Sequence, residues 1–273
     1  MTCCPACGGP DPAPRGGLLE CGDCGLVFTP VFSVSPAVYA PGLEEGIYDG
    51  AKAALFSEAL DILGAAFPRR GRLLDIGCAS GGLMKSAAAR GWEVSGVELD
   101  AALADKAEAA GFEVSRRPVE EAGLPPGTYD AATVFEVFSQ MEKPGAASAE
   151  IFRLLKPGGR IYAREFNAGF HLALRRIEMS GLFRPFGAYP SVLHDRNFRA
   201  AALRIMLERA GFRNIRIRNS RPTAGDPYRT GGRLGGLLTA AIKVLYYYMA
   251  QAVWLASFGR IYAGSALIVT AEK

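Results

Sequence analysis

The sequence predicts an α/β fold, a parallel sheet with helices on both faces, preceded by a small cysteine-rich module. Three observations predict it. Between residues 72 and 220, short apolar runs alternate with single helical patterns, the order that parallel strands joined by helical crossovers impose. Five of the six cysteines fall within the first 24 residues, clustered as metal ligands are and unlike a dispersed disulfide framework. The run "LLDIGCASGG", Leu73 to Gly82, ends a buried-type strand in a carboxylate and then breaks into small residues. With 273 residues and 49% hydrophobic content the chain can bury one full-sized core and an appendage, which length alone puts at one or two domains.

The pairs Cys4-Pro-Ala-Cys7 and Cys21-Gly-Asp-Cys24, each followed by glycine, are separated by 13 residues. Two such pairs suit two tight turns that aim four thiolates at one tetrahedral ion. Cys4, Cys7, Cys21 and Cys24 are the expected ligands of a structural zinc, with Cys3 a bystander or a substitute for Cys4. So short a segment lacks a core of its own, and the metal would supply its folding energy. A redox C-x-x-C is the competing reading, weakened by the presence of two pairs and no surrounding βαβ pattern. Residues 1–30 form this expected ribbon, and 31–50 an ordered connector rich in turn formers and aromatics. The chain does not open with a charged n-region and an apolar h-region, so the expectation is a cytoplasmic protein.

Residues 51–273 form the expected main domain. A helical pattern from 51 to about 67 runs through Leu55, Ala59, Ile62 and Leu63, and Pro68 closes it. Then come "RLLDIG", a helix near 81–90, "EVSGVEL", a helix near 101–110, "FEVS", a variable loop, "DAATVFEV", a helix near 145–155 and "GRIYAREF". "RNFRAAALRIMLERAG" predicts a helix ending at Gly211, and "FRNIRIRN" a strand. Before the last strand, "SALIVTA", lies an insertion over about 221–262, with a loop and a very apolar helix.

In an open parallel sheet, ligands bind at the carboxyl ends of the strands, where the order switches direction. "LLDIG" is the natural first strand, so its loop lies at that edge. Gly77 and Gly81 allow a sharp turn and let a ligand lie against bare backbone, while Asp75 faces the same crevice. Glu98 ends the next strand, 21 positions after Gly77, and its two oxygens match a ribose diol. A dinucleotide fingerprint would read G-x-G-x-x-G, but here Ala79 replaces the glycine that a pyrophosphate approaches. Asp75 would repel a pyrophosphate and attract a cation such as an ammonium or sulfonium. S-adenosylmethionine is such a ligand.

These residues resemble the class I S-adenosylmethionine-dependent methyltransferases, whose first motif is D-x-G-x-G-x-G, matched except at Ala79. The resemblance continues through "GVELD", "TYDAATVFEV", "EVFSQMEKP" and "FRLLKPGGRIY", over roughly residues 50 to 220. It implies a Rossmann-like, doubly wound, mostly parallel seven-stranded sheet with an antiparallel last strand. It implies cofactor contacts from Asp75, Gly77, Cys78, Ala79 and Gly81, from Glu98 and Leu99, and from Val119, Glu120 and Phe135. "CPACG" and "CGDCGLVFTP" resemble a subgroup with an N-terminal zinc ribbon, associated with methylation of sugars and secondary metabolites. "HDRNFRAAALRIMLERAGF" is similar to that subgroup's H-x-x-x-F, Leu, A-G-F pattern through His194, Phe198, Leu203 and Phe212.

One departure bears on catalysis. Where the family tends to have Glu-His, this chain has Ser139-Gln140, and glutamine takes no proton at neutral pH. The chain has only two histidines, His171 and His194. His194, in a loop on the crevice side with Asp195 able to hold it, is the expected substrate contact and candidate base. His171 fits a helix and a packing or surface role. Glu165 and Asn167, at the end of strand five, are expected to orient the acceptor. Proximity of donor and acceptor would itself supply much of the acceleration.

Charge and hydropathy bound the partners. Residues 1–149 carry net −9 and residues 150–273 net +13, so the second half suits an anionic partner or a solvated basic surface. Residues 237–258 hold no charge beyond Lys243, close to the ~20 apolar residues of a membrane span. Because "SALIVTA" returns to the sheet, no transmembrane span is expected. A buried helix, a homodimer interface, a groove for a lipid-like acceptor and membrane-surface contact remain open, with Arg229, Arg233 and Arg260 flanking. The leading expectation is methylation of a hydroxyl or carbon of a small molecule, such as a nucleotide-linked sugar or glycan precursor. RNA methylation is disfavoured, since Arg15 is the only basic residue before position 50. An inactive, methyltransferase-like binding protein is the third reading.

Overall fold

The computed structural model describes residues 3–33, 50–181, 191–223 and 232–273, the last without the side chains of 232–239. Residues 34–49 of the expected connector, part of the loop before His194, Arg229 and the Arg233 side chain lie outside the described residues. The N-terminal module carries three short strands, β1 (Ala13–Arg15), β2 (Leu18–Glu20) and β3 (Val27–Phe28). After α1 (Ala53–Ala66), strands and helices alternate: β4 (Arg72–Ile76), α2 (Gly82–Ala88), β5 (Glu93–Val97), α3 (Ala101–Ala109) and β6 (Glu113–Ser115). There follow β7 (Tyr129–Phe135), α4 (Pro144–Leu154), β8 (Leu155–Phe166) and α5 (Ala168–Met179). The chain closes with β9 (Arg196–Asn197), α6 (Ala200–Ala210), β10 (Arg213–Asn219), α7 (Gly232–Ala256) and β11 (Ala266–Glu272).

The main sheet has seven strands in the order β10-β11-β8-β7-β4-β5-β6. β4 pairs in parallel with β5 and β7, and β7 with β8, while β11 runs antiparallel to both neighbours. This is the expected mostly parallel sheet with a reversed last strand. Its strands read as continuous apolar runs because both faces are covered. Alternate residues serve the two faces: Leu74, Ile76, Val134, Ala163 and Leu267 pack with α4 and α6, whereas Leu73, Ala131, Tyr162 and Ile268 pack with α1 and Trp92.

The module does not stand apart. Its four cysteines, Leu26 and Phe28 belong to the same apolar cluster as α4 and α6. A second sheet, β1-β2-β3-β9, ties it to the main domain, with Val27 opposite Asn197 and Phe28 opposite Arg196. The expected helix from Arg196 therefore begins only at Ala200, after Phe198 is buried in the core and Arg199 takes an extended cap conformation. The apolar helix α7 starts at Gly232, five residues before the apolar run. Among the described residues no helix is long and apolar enough to cross a membrane.

Candidate active site

β4 lies between β5 and β7 at the switch point of the sheet, and its carboxyl end opens the expected crevice. Asp75 is 3% exposed and accepts a hydrogen bond from Thr133 Oγ1 on β7 at 2.7 Å. Burial pushes its carboxyl up to about 7, against the pull of the Thr133 hydroxyl; nearby Glu98 pushes it further and Lys52 opposes. Gly77 adopts φ +72°, and a Cβ there would meet Val137 Cγ2 at 2.3 Å, so only glycine fits this turn. Ala79 also has a left-handed φ, +47°. Its N–H donates to Glu98 Oε2 at 2.9 Å, while Glu98 Oε1 accepts from Asp100 N at 2.9 Å. Asp100 in turn caps α3 by accepting from Leu103 N.

Asp75, Gly77, Cys78 and Ala79 line a small cavity with Lys52, Phe56, Leu83 and Phe135. Phe135 is fixed there edge-on to Phe56 and stacked on Tyr162. Cys78 is buried, and burial pushes its thiol up, so it is a packing group and no nucleophile. Leu99 is 61% exposed beside Glu98, an uncovered apolar surface. Val119 turns its side chain into the core, whereas Glu120 remains exposed on the following turn. The donor set fits S-adenosylmethionine: buried Asp75 for its cationic end, Glu98 for a ribose, and bare backbone at Gly77 and Gly82, whereas Gly81 is buried and faces Ala107 and Phe112 outside that lining.

Sequence reasoning missed an ion network beside this cavity. Glu136, buried and left-handed at φ +62°, pairs with Lys52 Nζ at 2.8 Å and with Arg164. Lys52 is the only basic residue between Arg15 and Arg69, a signal that isolates it in an acidic stretch. Gln140 donates to the Glu136 carbonyl at 2.7 Å, so it braces the turn and leaves proton transfer to other groups.

The acceptor-side candidates separate. Glu165 is 1% exposed and sits opposite Leu267 on the face of the sheet toward the module, away from Asp75. Neither of its oxygens makes a hydrogen bond. Burial pushes its carboxyl up to about 7, although the Ser139 hydroxyl and the Phe138 and Ser139 main chain lie close enough to pull it down. Asn167 corrects the expectation placed on it. Its amide donates to the Tyr262 and Gly264 carbonyls, and its oxygen caps α5 by accepting from Gly169 N. Those bonds to main chain leave it a structural staple. His194 stacks at a tilt on Phe166, 5.7 Å between centroids, with Nε2 buried and unpartnered. Burial lowers its pKa against the pull of nearby Asp195, which favours the neutral ring. Asp195 does not hold it: that carboxylate accepts from Thr29 Oγ1 and from Ser33. His171 takes the packing alternative, buried with Nε2 on the Ser265 carbonyl and Nδ1 accepting from Val192 N.

In the module, all four sulfur atoms lie within 4.8 Å of one another and are buried. Cys4 and Cys24 are 3.7 Å apart and Cys7 and Cys21 3.6 Å, close to the edge of about 3.8 Å that a tetrahedron with 2.3 Å metal–sulfur bonds would have. The two turns match: Gly8 N donates to Cys4 O and Gly25 N to Cys21 O, each glycine left-handed. The donor set therefore suits a tetrahedral soft-metal ion such as zinc.

A doubly wound sheet with a glycine loop and two carboxylates at its switch point defines a nucleoside-cofactor enzyme. Residues 48–217 match the family model described as a methyltransferase domain, and the chain belongs to that family; it is an S-adenosylmethionine-dependent methyltransferase. It is 30% identical over 189 residues to a ubiquinone biosynthesis O-methyltransferase from Xanthomonas oryzae pv. oryzae, covering 65% of this chain and 74% of that protein. A protein of the same description from Bordetella bronchiseptica is 30% identical over 156 residues, 53% of this chain and 65% of its own. A solved methyltransferase from Archaeoglobus fulgidus shares the fold at TM-score 0.57 and 16% identity, over 86% of this chain and all of its own. Phosphoethanolamine N-methyltransferase 2 of Haemonchus contortus, solved with S-adenosyl-L-methionine, does so at 0.54 and 16%, over 90% and 61%.

Proposed function

We propose that the protein methylates a hydroxyl oxygen of a small-molecule acceptor, and that its cysteine module holds a structural zinc ion. The relatives described as O-methyltransferases support oxygen as the accepting atom. The observation that favours it within the chain is His194, a half-buried imidazole with its pKa lowered by desolvation, whose buried Nε2 has no partner. A hydroxyl must give up its proton as it is methylated, and a neutral imidazole can take one.

Bound S-adenosylmethionine would supply the electrophilic methyl group. Asp75 would bind its cationic end, Glu98 its ribose, and Leu99 and Phe135 would cover apolar parts. His194 accepts the hydroxyl proton, and Glu165, buried on the other face of the sheet from Asp75, would influence the acceptor only through the Phe138–Ser139 turn beside it. Positioning two reactants in line then supplies much of the rate. Zinc on Cys4, Cys7, Cys21 and Cys24 would fold the module, whose β3 holds β9, which starts two residues after His194.

The test is transfer of an isotope-labelled methyl group to a panel of phenols, nucleotide-linked sugars, glycan precursors and polyprenyl phenols. Label in an ether linkage, lost in His194→Gln, is the expected result. Label on nitrogen or carbon, or none despite tight binding of S-adenosylhomocysteine, overturns the oxygen reading.

A further inference from the structure

Helix α7 leaves and re-enters the sheet between β10 and β11, and it is fastened by one face only. Tyr246 donates to the Ala263 carbonyl and packs on Phe170, Ala250 is buried, and Asn219 Nδ2 donates to the Ala250 carbonyl. The opposite face is uncovered. Every exposed position from 241 to 256 carries an apolar or tyrosine side chain, and these positions span about half of the helical circumference. Leu245, Tyr248, Met249 and Leu255 are each about 60% exposed or more. The C-terminal turn continues the surface. Phe258 is 90% exposed and holds a left-handed φ of +53°, a strained conformation for a bulky side chain. Ile261 is exposed too, and between them stands the exposed Arg260. Patches of this extent mark interaction sites in proteins.

Charge decides the occupant. Arg260 is the exposed charge within this surface, and positions 240–271 carry no Asp or Glu; the Arg229 and Arg233 side chains lie outside the described residues, and Lys243 falls on the side of the helix that carries Ala250. A second copy seated on the same face would set an apolar surface against Arg260 and offer it no acidic side chain of the segment. An anionic lipid surface supplies both the apolar bed and the opposite charge. We propose that α7 and the Phe258–Ile261 turn lie in the interface of an anionic bilayer, with the helix parallel to the membrane plane. Asn219, which holds α7, ends β10 at the same sheet edge as the crevice, so docking brings the methyl-transfer site beside the lipid surface.

The test uses the full chain with extruded vesicles, one set of phosphatidylcholine alone and one containing phosphatidylglycerol, read by cosedimentation. The protein sediments with the anionic vesicles, and added salt releases it. Arg260→Gln weakens binding about fivefold, and Leu245→Ser with Phe258→Ser weakens it at least about tenfold. Each variant keeps the circular dichroism spectrum of the parent, which separates lost docking from lost folding. The readout needs no methylation, so it stands or falls independently of the acceptor reading. A parent protein that stays in the supernatant with both vesicle sets overturns the proposal. So does a dimer in solution that the double variant dissociates, which would assign the face to a second copy.

Discussion

Phe28 of the cysteine module and Arg196 of the main domain are β-ladder partners, and the Arg196 guanidinium lies 5.7 Å from the centre of the Phe28 ring. The same guanidinium donates to the carbonyls of Thr29, Glu142 and Asp195, so one buried cation binds the module, the start of α4 and the His194 segment. Losing the zinc proposed for the module should therefore reach the acceptor side before the cofactor side. Cys24→Ser, or chelation of the metal, should lower the melting temperature by more than about 5 °C. Turnover should fall while S-adenosylhomocysteine binding, measured by calorimetry, is kept. Equal loss of both would show that the module supports the whole fold.

Asp75, proposed above to bind the cationic end of the cofactor, should make cofactor binding depend on pH. Its folded carboxyl is raised from 3.8 to about 7, so the unliganded protein favours the protonated form and loses stability as pH rises between those values. A cationic ligand favours the ionised form. S-adenosylmethionine should thus bind more tightly as pH rises toward about 7, releasing a proton below it. Calorimetry in buffers of different ionisation enthalpy would detect that proton. Asp75→Asn should flatten the profile, weaken the cationic cofactor about tenfold, and stabilise the unliganded protein at alkaline pH.

Two substitutions in the glycine loop should act in opposite directions. Ala79→Gly relieves a left-handed alanine and should raise stability by about 1 kcal/mol, with cofactor affinity unchanged. Gly77→Ala places a Cβ 2.3 Å from Val137 and should both destabilise the fold by several kcal/mol and abolish binding. Thermal melts and titration of the two proteins would separate strain from contact.

Glu136→Gln should be among the most damaging polar substitutions. It removes the acid that neutralises the buried Lys52 and Arg164 cations, for a cost of about 3 kcal/mol or more. Urea unfolding is the measurement, and a change below about 1 kcal/mol would show that water screens the network.

His194→Gln keeps size and a polar tip but takes no proton. Its kcat should fall by about 10²-fold or more with S-adenosylhomocysteine affinity intact. The parent's pH–rate profile should show an acidic limb below neutrality, consistent with the lowered pKa of this ring, which the variant lacks.

Much of the architecture was legible because it rests on local patterns. Alternating apolar runs and helices marked the parallel sheet, and Asp75, Gly77 and Glu98 fall where the strand ends placed them. What escaped depends on long-range pairing or on which atoms a side chain has left to offer. The two-residue β9 has no periodicity, so Arg196 and Asn197 read as the start of a helix until β3 lay beside them. Asn167 carried a readable signal as a helix cap ahead of the Ala168–Met179 pattern, yet its place at a strand end suggested substrate. Asp195 looked like a partner for His194 by adjacency, but a neighbour in sequence need not face the same way in space. Lys52 and Arg164 lie more than a hundred positions apart, and only the left-handed turn at Glu136 shows that one carboxylate serves both.

The insertion carrying α7 joins β10 and β11, two antiparallel neighbours at one margin of the sheet. A connection of that kind can be lengthened, shortened or replaced without shifting the register of a single parallel strand. The cofactor machinery on β4, β5 and β7 is thereby insulated from whatever α7 is asked to touch. Related chains could then exchange this element as a cartridge, altering where the enzyme works while the methyl-transfer chemistry stays as it was.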